Sequence, residues 1–161
     1  MVLNQDFREF IEQLNDKKVK YLVVGGYAVA YHGYPRYTKD IDFWIWLDDE
    51  NASNMILALK GFGFLSSEIK KEDFLDKDMV VQLGYPPNRI DLITDVSGVD
   101  FETCYENKVQ VDIEGLLVNF IDLNSLIKNP LVGPKIWLMQ KTWRQAMKEV
   151  TPNISYLSTQ A

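Results

Sequence analysis

The sequence predicts an α+β fold, a mixed sheet flanked by helices, and three observations carry that expectation. Residues 21–24 (YLVV) form a short run of strand formers that is cut off by Gly25-Gly26 and followed by helix-compatible residues. Residues 41–47 form a second apolar strand headed by two aspartates, Asp40 and Asp42. Further on, residues 79–83 with 89–94 and residues 109–113 with 116–121 read as antiparallel neighbours, separated by helical stretches.

The elements follow in order. Asn4 is positioned to cap a helix ending near Asn15, because Phe7, Phe10, Ile11 and Leu14 recur at helical spacing. After the glycine pair, residues 27–31 continue as a helix up to Gly33. Pro35 then forces a loop over residues 34–39, since proline disfavours helix at the residue before it. Asp49 is the expected cap of a helix through Leu59, which stops at Gly61 and Gly63. The prolines of Gly84-Tyr85-Pro86-Pro87-Asn88 make that stretch a loop between two strands. Residues 101–106 suit a short helix, Glu114-Gly115 sits at a hairpin turn, and Asp122 or Asn124 caps a helix through Lys128. No internal repeat is visible, and the tail after Pro152 is expected to be loosely ordered.

Composition narrows the function. With 161 residues, 47% hydrophobic and 25% charged, the chain fits one globular core. Cys104 is the single cysteine and His32 the single histidine, which excludes an intrachain disulfide, a cysteine-based zinc site and a multi-histidine metal site. His32 itself is expected to be a packed or surface residue. The N-terminal residues carry acids and amides instead of a basic flank and an apolar core, so the expectation is a cytoplasmic protein with no membrane partner. A net charge of −6 disfavours broad tracking along nucleic-acid phosphates.

The chemistry-bearing residues are acidic. Strand side chains alternate, so Asp40 and Asp42 project from one face while Ile41, Phe43, Ile45 and Leu47 project from the other. Two neighbouring anions call for cations, and Mg²⁺ (or Mn²⁺) is the natural one, being held by one or two carboxylates together with substrate phosphates. Gly25 and Gly26 let the backbone approach a phosphate. Asp91 interrupts the apolar run 89–94, and a charge in a buried strand needs either a metal or a partner such as Arg89. Arg36 and Lys39 are candidates to steady a triphosphate. Thr38 is either a ligand or a turn cap. Trp44 and Trp46 share the aspartate face and are expected to stack under a helix, and the acid- and lysine-rich stretch 68–78 to be a solvated face.

The stretch YLVVGGYAVAYHGYPRYTKDIDFW, residues 21–44, resembles the nucleotidyltransferase superfamily of polymerase-β-like fold, in particular its bacterial branch of AbiEii-type toxins and minimal nucleotidyltransferases. The matching positions are Gly25-Gly26, Arg36-x-Thr38, Asp40-x-Asp42 and the later Asp91. The resemblance spans roughly residues 1–130, taken as the nucleotidyltransferase domain, with 131–161 as a helical or loosely ordered C-terminal segment. It implies metal-dependent transfer of a nucleoside monophosphate from an NTP to a hydroxyl acceptor, tRNA or protein, in a toxin–antitoxin context. Asp40, Asp42 and Asp91 would be its catalytic and metal-binding residues, and Gly25, Gly26, Arg36, Thr38 and Lys39 would bind the nucleotide. The alternative is a non-catalytic nucleotide-binding or regulatory member of a toxin–antitoxin pair. Nothing in the chain looks like the acceptor domain of a small-molecule transferase.

After Lys135 the resemblance stops. Codon arithmetic makes residues 136–141 compatible with an out-of-frame reading of the family's acidic helix. The other reading is an ordinary amphipathic helix built on Trp137, Leu138, Trp143 and Met147.

Overall fold

The computed structural model describes residues 1–34, 37–66 and 68–150, apart from the side chains of Trp143 and residues 147–150. The order is α1 (Gln5–Asp16), β1 (Tyr21–Val24), α2 (Gly25–Tyr31), β2 (Asp40–Ile45), α3 (Asp49–Phe62), a 3-10 turn (Lys71–Phe74), β3 (Val80–Leu83) and β4 (Arg89–Ile93). Then come α4 (Phe101–Glu106), β5 (Val109–Ile113), β6 (Leu116–Phe120), α5 (Leu123–Lys128) and α6 (Gly133–Val150). The six strands form one sheet in the order β3-β4-β2-β1-β6-β5. Pairing is antiparallel for β1 with β2, β3 with β4 and β5 with β6, and parallel for β2 with β4 and β1 with β6. The sheet is mixed, as expected.

Capping side chains set the helix starts. Asn4 accepts from Phe7 N–H at 2.8 Å, and Asp122, not Asn124, caps α5 by accepting from Ser125 N–H at 3.0 Å. For α3 the cap is Asp48, one residue before the expected Asp49. Its carboxylate takes the Asn51 N–H at 3.0 Å, and the helix runs on to Gly63, which closes it in the left-handed region at φ +99°.

The inward face of β2 builds the core. Phe43 meets the rings of Phe10 and Tyr21, while Phe10 also meets Phe62 of α3, so α1 and α3 close over this face. Asn51 ties α3 to the sheet: its side-chain oxygen accepts from Lys20 N–H at 2.7 Å, and its amide donates to the carbonyls of Lys20 and Trp46. On the opposite face Trp44 and Trp46 pack against Phe101 of α4, the stacking that the sequence suggested. His32 is half-buried, with Nε2 2.7 Å from the Ile121 carbonyl oxygen.

The helix α6 forms, but Trp137 and Leu138 do not make its inner face. Ile136 is the buried residue, and Trp137 and Leu138 are 60% and 59% exposed. At about 100° per residue, the positions one and two after an inward Ile136 turn away, while Gln140, one turn on, reaches back to donate to the Tyr34 hydroxyl. Trp143 and Met147 lie outside the described side chains, and the tail after Pro152 lies outside the described residues. Among the described residues no helix is long and apolar enough to cross a membrane.

Candidate metal and nucleotide site

Parallel pairing of β2 with β4 assembles the acidic residues. Asp42 is register-paired with Asp91, and Asp40 with Arg89, so alternation brings all four side chains to one face of two adjacent strands. Asp40, Asp42 and Asp91 each offer a carboxylate oxygen, and these oxygens lie within 4.8 Å of one another. Asp91 is buried, whereas Asp40 and Asp42 are half-buried at the sheet's end.

Arg89 closes the cluster. Its Nε donates to Asp91 Oδ1 at 2.8 Å, and its Nη2 donates to Asp91 Oδ2 at 2.9 Å and to Asp40 Oδ2 at 2.8 Å. Hydrogen bonding to Asp91, and the nearby charges of Asp91 and Asp40, hold the guanidinium above its ordinary value, so it stays a cation. Sequence reasoning paired Arg89 with Asp91 only as an alternative to a metal. Its second contact, to Asp40, needed knowledge that β2 and β4 are neighbours. The spacing of Arg89 and Asp91 on one strand was the available signal.

The glycine pair has a structural task that its sequence position did not reveal. Gly25 is the first residue of α2, so the pair opens the helix instead of forming a separate turn. Gly25 sits at φ +65°, and a Cβ built there would lie 2.2 Å from Asp42 Oδ2. A Cβ on Gly26 would lie 3.0 Å from Thr38 Cβ and Oγ1. The glycines therefore admit the side chains of Asp42 and Thr38 against the backbone. Gly25→Ala is expected to cost about 1–2 kcal/mol from the left-handed backbone alone and to push the Asp42 carboxylate aside. Thermal unfolding with and without Mn²⁺ checks both effects, and an alanine variant matching the wild type in each would contradict the assignment.

Thr38 donates from Oγ1 to the carbonyl oxygen of Asp40, two residues on, at 2.9 Å, which makes it a turn-stabilising residue at the entry to β2. Lys39 is exposed beside Asp40. Arg36 lies outside the described residues. Next to Thr38 opens a cleft of about 700 Å³ that Tyr27, Tyr31 and Tyr37 line together with Asp112 and Glu114, a size within the range of about 300–1,000 Å³ usual for ligand sites. Burial raises the Tyr27 hydroxyl above its ordinary value and keeps it protonated. These tyrosines come from α2 and the loop after it, and nothing in their spacing announced a shared cleft.

The donor set suits a hard divalent cation: three carboxylates, one buried and two half-buried, with no sulfur or imidazole among them. Among solved structures, the protein resembles that of a candidate nucleotidyltransferase from Thermotoga maritima over nearly its full length. The likeness covers 89% of this chain and 91% of that one, at 18% identity and a TM-score of 0.57, and it shows the shared fold. No protein-family model matches the chain, and no curated protein does.

Proposed function

We propose that the chain is a divalent-metal-dependent nucleotidyltransferase, which moves a nucleoside monophosphate from an NTP to a hydroxyl acceptor. One observation carries the reading: Asp40, Asp42 and Asp91 converge within 4.8 Å across two neighbouring strands, on a fold shared with a candidate nucleotidyltransferase. Asp40, Asp42 and Asp91 would hold Mg²⁺ or Mn²⁺. When bound, the metal supplies charge neutralisation at the triphosphate and a lowered barrier to deprotonating the acceptor hydroxyl. In the transfer, the acceptor oxygen forms a bond to the α-phosphorus and the α–β phosphoanhydride bond breaks. Pyrophosphate leaves with the bonding pair, and the hydroxyl proton passes to a carboxylate or to solvent.

The chain's own residues supply position. Gly25 keeps the backbone clear for Asp42, Thr38 stabilises the turn that presents Asp40, and Lys39 and Arg36 would meet the triphosphate. The tyrosine-lined cleft beside Thr38 offers ring faces for a base or for part of the acceptor. The acceptor class we favour is tRNA or protein, in a toxin–antitoxin pair working in the cytoplasm. The likeness of residues 21–44 to AbiEii-type toxins supports this.

A second reading is favoured by Arg89. A guanidinium that already bridges Asp91 and Asp40 is what a non-catalytic, nucleotide-binding or regulatory module would keep as a structural ion cluster. Labelled NTPs with Mg²⁺ and cell extract separate the two. Label transferred to RNA or protein by the wild type, and lost in Asp40→Asn, supports the enzyme. Calorimetric NTP binding without transfer supports the module, and neither binding nor transfer would remove the nucleotide from both readings.

A further inference from the structure

Arg89 occupies the position in the acidic cluster that a metal ion would contest. Its guanidinium engages both oxygens of Asp91 and one oxygen of Asp40. These are two of the three carboxylates whose oxygens gather within 4.8 Å. Arginine does not release its proton in proteins, so it cannot withdraw its charge chemically and must move to yield its partners. It has somewhere to go: the side chain is 28% exposed and opens β4, directly after the loop through Gly84 and Asn88.

We propose that Arg89 is the exchangeable counter-ion of the triad, a positioning residue that holds Asp40 and Asp91 together in the metal-free protein and is displaced from at least one of them when a divalent cation binds. The inference rests on the metal-site reading above and extends it. Three carboxylates at this separation repel one another, and without a cation among them they would spread apart. The bidentate contact to Asp91 fixes that side chain in one orientation, and the shared Nη2 draws Asp40 towards it. The ligands are thus preassembled by a cation the chain itself provides. The cost is competition, because metal affinity is reduced by whatever Arg89 contributes to the same oxygens. A displaced guanidinium, still tethered at the edge of the site, is placed to meet the phosphate oxygens of an incoming triphosphate.

The test is calorimetric titration with Mn²⁺ alone, without nucleotide, on wild type, Arg89→Gln and Arg89→Lys, with thermal unfolding of each in chelator and in Mn²⁺. Displacement predicts that Arg89→Gln binds Mn²⁺ roughly tenfold more tightly, because a competing charge is gone. It also predicts that this variant melts lower than wild type in chelator and recovers most of the difference in Mn²⁺. Arg89→Lys should fall between, keeping the charge without the two-point grip on Asp91. A merely structural arginine predicts the reverse, with Arg89→Gln binding Mn²⁺ equally or more weakly and metal giving no preferential rescue, and that result overturns the proposal. If no variant binds Mn²⁺, the metal-site reading fails and displacement falls with it.

Discussion

Asp42→Asn is expected to lower metal-dependent nucleotidyl transfer by at least about 100-fold, the scale seen when one preorganised charge-stabilising group is removed from an active site. Asp42 is tied by the sheet to each of the other two members of the cluster. It shares β2 with Asp40, is register-paired with Asp91, and rests against Gly25. Asparagine keeps the shape and removes the charge, so the fold should survive while the metal loses an anionic ligand. Folding is checked by thermal unfolding, metal affinity by Mn²⁺ titration, and transfer with labelled NTP. The isosteric replacement makes the outcome interpretable. A variant that unfolds normally but transfers label at the wild-type rate would remove Asp42 from the chemistry.

The neighbouring position tests the other face of the same strand. Phe43→Ala is expected to destabilise the protein by about 3–5 kcal/mol, the usual cost of emptying a buried aromatic site. Phe43 is fully buried and meets the edges of Phe10 and Tyr21 at centroid distances of 5.3 and 5.6 Å. Its strand neighbours in register are Val23 and Leu92. Truncation leaves a void where helix α1 and strands β1, β2 and β4 meet, and none of these can close it without breaking the ladder. For a chain of this length the melting temperature should drop by roughly 6–20 °C. At temperatures where the variant is folded, its Mn²⁺ affinity should stay close to wild type, because Phe43 and the carboxylates project from opposite faces. A drop below about 3 °C would show that the site collapses or that Phe43 is not the keystone of the core.

Comparing these two residues shows what could be read before folding. The alternation of Asp40, Ile41, Asp42 and Phe43 is a property of the extended chain, so the division of β2 into a chemical and a core face was legible from residue order alone. The same holds for the Asn4 cap and for the hairpin turn at Glu114-Gly115, because each depends on local spacing. The cap of α3 was misplaced by one residue because Asp48 and Asp49 are adjacent acids, and only the direction of the chain entering the helix decides which side chain reaches the Asn51 N–H. The inner face of α6 was misjudged for a related reason. Apolar residues at successive positions cannot all face inward, and it was the packing of Ile136 that set the rotation.

Residue order alone carried the mixed α+β character, the capped helices, the paired aspartates and the expectation that Asp91 joins them, since these follow from periodicity, capping chemistry and the cost of a carboxylate in an apolar strand. Folding of the whole chain was needed to bring β2 and β4 parallel side by side, which sets Asp42 opposite Asp91 and carries Arg89 across to Asp40. The same folding sets Gly25 and Gly26 against Asp42 and Thr38. These are contacts between segments far apart in the chain, and their strength depends on which strands become neighbours. That choice is made by burying the whole core at once, so no local stretch of residues contains it.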